Sequence, residues 1–98
     1  MNVKYHAIHF DISEKLQAYA EKKVSKLAKL TDEIVSTDIY FKVVKPETAC
    51  NKEVEIKIAM PNAELFSSKI SDSFEESIDN ALEAIEKQIK KYKEKARN

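Results

Sequence analysis

Lysines are the residues of this chain whose type and spacing favour a chemical role, and they are densest near its end. Six cations stand in the eleven positions 87–97, namely Lys87, Lys90, Lys91, Lys93, Lys95 and Arg97. Acidic residues dominate positions 72–86, which precede these cations. Acids first and bases last suit the dipole of a helix, which stabilises each such charge by about 0.3–1 kcal/mol. Six cations exceed what a dipole needs, and they indicate contact with a polyanion.

These lysines also sort to one side of a helix. Residues 72–97 carry apolar side chains at three- and four-residue steps, which predicts a helix with a buried stripe of Phe74, Ile78, Leu82, Ile85, Ile89 and Tyr92. At about 100° per residue, Lys87, Lys91 and Lys95 fall about 60° to 140° from the stripe on one flank. Glu75, Asp79 and Glu86 fall about 100° to 140° away on the other flank, whereas Lys90 and Arg97 point elsewhere.

A second lysine cluster lies in residues 14–30. Leu16, Ala20, Val24, Leu27 and Leu30, with Tyr19 at the edge, predict an amphipathic helix there. Its basic flank holds Lys15, Lys22, Lys26 and Lys29. Lys23 lies nearer the apolar face, where we expect a buried stem and an amine that reaches a groove beside the helix.

Alternating side chains predict four strands around these helices. The first lies within residues 1–10, and its phase changes at Ala7–Ile8, which indicates a bulge or the strand end. The second covers 34–45, with Val35, Ile39, Phe41 and Val43 on its buried side. The third covers 52–60, and the turn Pro61-Asn62 leads to a fourth strand at 63–71. Asp11 or Ser13 caps the first helix, and Ser71, Asp72 or Ser73 caps the last.

The predicted order is therefore β-α-β-β-β-α, an α+β fold. Single-sided strands need a cover, so we expect a four-stranded sheet with both helices packed side by side on one face. The first crossover leaves its two strands parallel if they are neighbours, and hairpins add the remaining strands. On this basis we expect the two lysine flanks to share one surface.

Composition excludes several classes of function. The net charge is zero, from 17 basic and 17 acidic residues, so only a local patch can attract nucleic acid. The absence of Gly removes glycine-rich phosphate loops. Cys50 is the single cysteine, which excludes a disulfide framework and fits a reducing cytoplasm. No apolar run is long enough for a membrane span, so we expect a cytoplasmic protein.

Other reactive residue types do not converge. His6 and His9 point to opposite faces of the first strand, so a shared metal is improbable. Cys50 is expected to be a bystander in a loop, and Tyr40 to pack across strands. Tyr92 is a candidate for stacking on RNA, but its position on the helix places it with the core. No catalytic constellation stands out, and we expect neither an enzyme nor a cofactor or small-molecule substrate.

The sequence resembles the short ribosome hibernation promoting factors, also described as ribosome-associated inhibitors or protein Y. The likeness covers essentially the whole chain and is carried by residues 11–16, 22–27, 39–45, 78–79 and 87–95. It implies a fold akin to the double-stranded RNA-binding domain. It also implies binding to rRNA in the mRNA/tRNA channel of the small ribosomal subunit, where such proteins exclude mRNA and tRNA and stop translation.

The resemblance places basic contacts at Lys23 and Lys26 of the first helix and at Lys87, Lys91, Lys93 and Lys95 of the last. Helical geometry independently selects Lys26, Lys87, Lys91 and Lys95. With the neighbouring lysines of the first helix, the candidate rRNA-binding set is Lys22, Lys23, Lys26, Lys29, Lys87, Lys91, Lys93 and Lys95. A set of lysines neutralises phosphates without reading bases, and the absence of Trp and the single Arg agree with recognition by shape.

We expect residues 1–98 to form a single ribosome-binding domain without a C-terminal dimerisation domain. The alternative is a protein-interaction module that uses a sheet edge or the outer sheet face to bind a non-ribosomal partner such as a transcription factor. The two hypotheses differ in salt dependence, because a contact through several lysines weakens steeply with ionic strength.

Overall fold

The computed structural model describes residues 2–96 of the chain. Its elements are β1 (Asn2–Ala7), α1 (Glu14–Val24), a 3₁₀ helix (Ser25–Lys29), β2 (Ser36–Val43), β3 (Lys52–Met60), β4 (Ala63–Ser71) and α2 (Phe74–Ala96). The predicted β-α-β-β-β-α order is confirmed, and β1 ends at Ala7, where the sequence pattern changes phase.

The four strands form one mixed sheet in the order β1-β2-β3-β4. β1 pairs in parallel with β2, and the α1 crossover makes that possible because a hairpin joins only antiparallel strands. β2 with β3 and β3 with β4 pair antiparallel. One row across the sheet runs from Tyr5 through Ile39 and Ile56 to Ser67.

Both helices cover the same face of this sheet and enclose one hydrophobic core. The strands contribute fully buried side chains such as Ile39, Phe41 and Ile56. α2 contributes the fully buried Ile78, Ile85 and Ile89, as its predicted apolar stripe requires, and α1 contributes Leu16, Ala20 and Val24. Phe74 closes one end of the core, with its ring edge-on to Phe41 at a centroid distance of 5.5 Å.

Serine residues are the N-caps of both helices. Ser13 Oγ accepts a hydrogen bond from the Leu16 backbone N–H at 3.1 Å, so Ser13 rather than Asp11 is the cap of α1. Ser73 Oγ accepts from the Glu76 N–H at 3.1 Å and plays the same part for α2.

The expectation of a continuous α-helix to Leu30 is wrong, because the chain tightens into a 3₁₀ helix from Ser25. Ser25 Oγ donates to the Lys22 carbonyl at 2.8 Å, and the Leu30 N–H donates to Leu27 rather than one residue further back. Such tighter bonds use carbonyl groups that the end of an α-helix leaves unpaired.

Val35 was expected on the core side and is instead 60% exposed. β2 begins only at Ser36, so Val35 lies before the regular pleat, and Ile34 is buried in its place. On β4, Phe66, Ser68 and Ile70 do share one phase, and it is the outer face of the sheet. Phe66 and Ile70 are 47% and 50% exposed there.

A buried hydroxyl joins the start of α2 to β3. Ser77 is fully buried, and its Oγ donates to the Lys52 carbonyl at 2.6 Å and lies 2.7 Å from Ser71 Oγ. Ser77→Ala leaves that carbonyl without its partner, and we expect a loss of about 1–3 kcal/mol in the free energy of unfolding, measured by urea denaturation. Ser68→Ala on the exposed face of β4 is the control and should change it by less than about 0.5 kcal/mol. Equal effects of the two substitutions would contradict the role given to Ser77.

Candidate nucleic-acid interface

The two helical segments run in the same direction. Tyr19, midway along α1, donates its hydroxyl to Asp79 Oδ2 in the second turn of α2 at 2.8 Å. Towards their ends, Lys93 Nζ donates to the Leu30 carbonyl at 2.7 Å, an acceptor just after the 3₁₀ helix. Because the contacts follow the same order along both segments, their lysine-rich ends lie at the same end of the molecule.

The groove between the helices carries both signs of charge. Lys23 and Lys26 line it from one side, and Asp79, Glu83 and Glu86 line it from α2. The acidic flank predicted for α2 therefore faces the basic flank of α1. This arrangement places opposite charges across the helix contact.

Lys23 occupies this groove as its position in the sequence predicted. Its side chain is 29% exposed, and Nζ lies 3.8 Å from Asp79 Oδ1 and 5.4 Å from the centroid of the Tyr19 ring. The amine thus pairs with a carboxylate of α2, which sets Lys23 apart from the more exposed lysine candidates.

The predicted basic flank of α2 lies on the opposite side of that helix. Lys91 and Lys95 line a groove with Ala63 and Leu65 of β4, and Lys87 lies beside Lys69 of the same strand. Both lysine flanks lie in the helix layer on one face of the sheet, as expected, but they do not meet across the contact between the helices. A helix on a sheet has one flank on each side of its buried stripe, and only the acidic flank of α2 faces α1.

Because the two segments are parallel, lysines from both lie towards the same end of the helix layer. The acidic row along α2 stops at Glu86, and on the α1 side it is followed by Lys90 and Lys93 at about 160° and 100° on the same wheel. We call the lysines of this region the basic end: Lys26, Lys29, Lys87, Lys90, Lys91, Lys93 and Lys95. Lys22 is exposed one turn before Lys26.

Lys90 belongs to the basic end although sequence reasoning set it aside, together with Arg97. On the helical wheel of α2, Lys90 lies between the two flanks. It joins the basic end only because the two helical segments are parallel, which the sequence does not show. Arg97 lies outside the described residues.

The remaining candidates are engaged in local contacts. Tyr40 packs across strands as predicted, stacked on His6 at a centroid distance of 4.5 Å, and His6 Nε2 lies 3.0 Å from Asp38 Oδ1. Within residues 2–96 no group of three or more His, Cys, Asp or Glu side chains is arranged to hold a metal. Cys50 Sγ donates to Asp72 Oδ1 at 2.9 Å, and this carboxylate raises the pKa of the thiol, which keeps it in its less nucleophilic form.

The described part of the chain holds no helix that is both long and apolar enough to cross a membrane.

Comparison with known proteins gives one consistent group. The model of a family described as "Sigma 54 modulation protein / S30EA ribosomal protein" matches residues 3–97. A Pseudomonas putida protein named ribosome hibernation promoting factor is 24% identical over 95 residues, which cover 97% of this chain and 89% of that protein.

Two solved structures share the fold. A ribosomal subunit interface protein from Coxiella burnetii has a TM-score of 0.85 at 27% identity, covering 95% of this chain and 98% of that one. The N-terminal domain of Protein Y from Thermus thermophilus has a TM-score of 0.79 at 22% identity, covering 94% and 99% of the two chains. These similarities confirm the predicted α+β fold class.

The Tyr19–Asp79 contact predicts a pH response. The hydrogen bond to the carboxylate raises the pKa of the Tyr19 phenol above its ordinary value of 10.0, with smaller contributions from desolvation and the negative charges of Asp79 and Glu75. Because the folded pKa is the higher one, the stabilisation is complete below pH 10 and disappears as the pH rises through the folded pKa. Asp79→Asn should lower the pKa of Tyr19, measured by NMR titration of its ring resonances.

Glu83→Gln is the matched control, because it removes another carboxylate from the same groove without touching Tyr19. A Tyr19 pKa that stays unchanged in Asp79→Asn would show that the contact between the helices is not what holds the phenol protonated.

Proposed function

Because the chain belongs to the Sigma 54 modulation protein / S30EA ribosomal protein family, we propose that it is a ribosome hibernation factor that binds the ribosome and stops translation in non-growing or stressed cells. The match along residues 3–97 carries this proposal, since it includes both lysine-bearing helices. The name of the Pseudomonas putida relative supports it. The proposed role is binding rather than catalysis, without a cofactor, and its place is the cytoplasm.

The proposed mechanism is steric. The protein occupies the mRNA/tRNA channel of the small ribosomal subunit and excludes both RNAs. Its dimensions of 48 × 23 × 18 Å support this mechanism, because the long axis matches a stacked strand of roughly 14 nucleotides at about 3.4 Å each.

The basic end is the proposed rRNA contact. Its lysines neutralise phosphates, and as point charges they position the protein without reading sequence. The acidic row of Asp79, Glu83 and Glu86 repels phosphate, so the RNA approaches the lysine-rich end of the helix layer rather than its whole width. Lys22, Lys26, Lys29, Lys91, Lys93 and Lys95 are the candidates outside the ion pairs of the described residues. Lys87 Nζ lies 3.8 Å from Glu83 Oε1 in an exposed pair that phosphate must compete with, while Lys23 serves mainly to join the helices.

Lys93 both joins the two helical segments and is a candidate for phosphate contact. One of its three ammonium protons bonds to the Leu30 carbonyl, which fixes the side chain across the ends of the two helical segments. The other two protons are available to phosphate oxygens. A lysine held in place in this way loses less side-chain entropy on binding than a free one.

Replacing four lysines tests the contact. We expect the quadruple variant Lys26→Gln, Lys87→Gln, Lys91→Gln, Lys95→Gln to lose cosedimentation with ribosomes from stationary-phase cells, while its urea unfolding stays close to that of the wild type. The control is Lys4→Gln, Lys42→Gln, Lys45→Gln, Lys57→Gln, which changes the net charge equally on the sheet and its loop. Ribosome binding that survives the first set, or is lost equally with the second, would contradict a contact at the basic end.

Salt dependence separates this proposal from a protein-interaction module, which the comparisons do not support. For the wild type, the logarithm of the ribosome affinity should fall linearly with the logarithm of the salt concentration. The single variant Lys91→Gln, which should still bind, should reduce the magnitude of that slope by about 0.7–0.9, because it loses one phosphate contact. An affinity that does not respond to salt would point to a dry protein interface instead.

A further inference from the structure

We propose that the groove between α2 and the β3–β4 hairpin binds one unpaired nucleotide of the RNA partner. This inference rests on the proposed function, because it takes the partner to be RNA. The groove has a volume of about 530 Å³, inside the range of about 300–1,000 Å³ that is typical of small-ligand sites. We call it the side groove.

The side groove has an apolar and aromatic interior. Leu65 and Ala63 of β4 line it on one side, and the half-buried ring of Tyr92 lines it from α2. Tyr92 was expected to lie with the core, and it does pack against the core while it also lines the groove. An aromatic ring beside an aliphatic surface accepts any nucleobase by stacking, whatever its sequence.

The rim of the side groove is basic and carries no acid. Lys91 and Lys95 stand one helical turn apart, and no carboxylate is among the lining residues. Of the ion pairs within residues 2–96, none involves either lysine. The groove between the helices, by contrast, holds three carboxylates. Of these two grooves, the side groove therefore suits an anionic ligand, and Lys91 and Lys95 supply the counter-charge for its phosphates.

A peptide strand is the other natural occupant of a groove beside a sheet edge, and Gln88 opposes it. The Gln88 amide donates to the Phe66 carbonyl at 2.7 Å and accepts from the Phe66 N–H at 3.3 Å. These are the backbone groups that β4 would offer to an added strand. Since they are already satisfied, a peptide gains no continuous ladder there, and a nucleotide needs none.

The Asn62 amide stands at the hairpin turn beside this site and offers two donors and an acceptor to a base edge. A nucleotide in the side groove would thus add a base contact to the phosphate contacts of the basic end. Stacking depends little on ionic strength, so this contact would persist at salt concentrations that weaken the lysine contacts.

The test compares two RNA hexamers on the isolated protein by ¹⁵N-edited NMR titration. One is single-stranded RNA, and the other has the same sugar–phosphate backbone without bases. We expect the intact hexamer to shift the amide signals of Ala63, Leu65 and Gln88 and to bind at least about 5-fold more tightly than the abasic one. Equal affinities would show that the lysines act alone and would overturn the proposal. An acidic amphipathic peptide that shifts these signals where the hexamer does not would overturn it in favour of a protein partner.

Two variants test whether the difference in affinity between the hexamers arises in the side groove. Tyr92→Leu should reduce the difference between the hexamers by about 5-fold, whereas Tyr92→Phe should retain it. Because Tyr92→Leu also touches the core, Ala63→Leu serves as a second variant that fills the groove and leaves the ring in place. Phe74→Leu, at the other end of α2, is the control and should keep the full difference. A difference that persists in both Tyr92→Leu and Ala63→Leu would place base binding elsewhere.

Cosedimentation with ribosomes separates this inference from the proposed function. A wild type that binds ribosomes but does not distinguish the hexamers contradicts only the side groove. A wild type that stays off ribosomes contradicts the proposed function, and the hexamer comparison still decides the side groove by itself.

Discussion

The burial of the apolar stripe of α2 against β3 and β4 is the constraint on which the rest of the structure depends. Ile78, Ile85 and Ile89 are fully buried, and this fixes the rotation of the helix about its axis. Once that rotation is set, every charged residue of α2 has a determined direction. Asp79 and Glu86 face α1, the flank of Lys87, Lys91 and Lys95 faces β4, and the last turns present lysines on both sides.

Much of this arrangement follows from the sequence because hydrophobic periodicity is a local property. β3 and β4 have the predicted bounds, since strict alternation and the turn at Pro61 define both strands. The buried faces of both helices were also predictable, whereas the caps were narrowed only to Asp11 or Ser13 and to Ser71, Asp72 or Ser73. The wheel of α2 gives its two flanks relative to the stripe, but it does not say which flank meets α1. That depends on the position of the helix over the sheet, which is a tertiary property.

Other features escape sequence reasoning for different physical reasons. At the start of the 3₁₀ helix the Ser25 hydroxyl donates to the Lys22 carbonyl, a side-chain contact that hydrophobic periodicity does not reveal. The contact of Lys93 with Leu30 joins residues far apart in the chain, and the lining of the side groove comes from three separate elements. The zero net charge likewise conceals a division of charge, because the acids of α2 balance α1 in the groove and leave an excess of lysine at one end.

The hydrogen bonds of Gln88 have a consequence for how the protein behaves at high concentration. β4 is one of the two edge strands of the sheet, and Phe66 and Ile70 add exposed apolar surface to it, a combination that favours pairing between copies and growth into fibrils. Gln88 occupies both backbone groups of Phe66, near the middle of the strand. The β4 strand of a second molecule therefore cannot form a continuous hydrogen-bond ladder along this edge. The same helix that carries the charged end thus interrupts the hydrogen-bonding edge that a second copy of β4 would need.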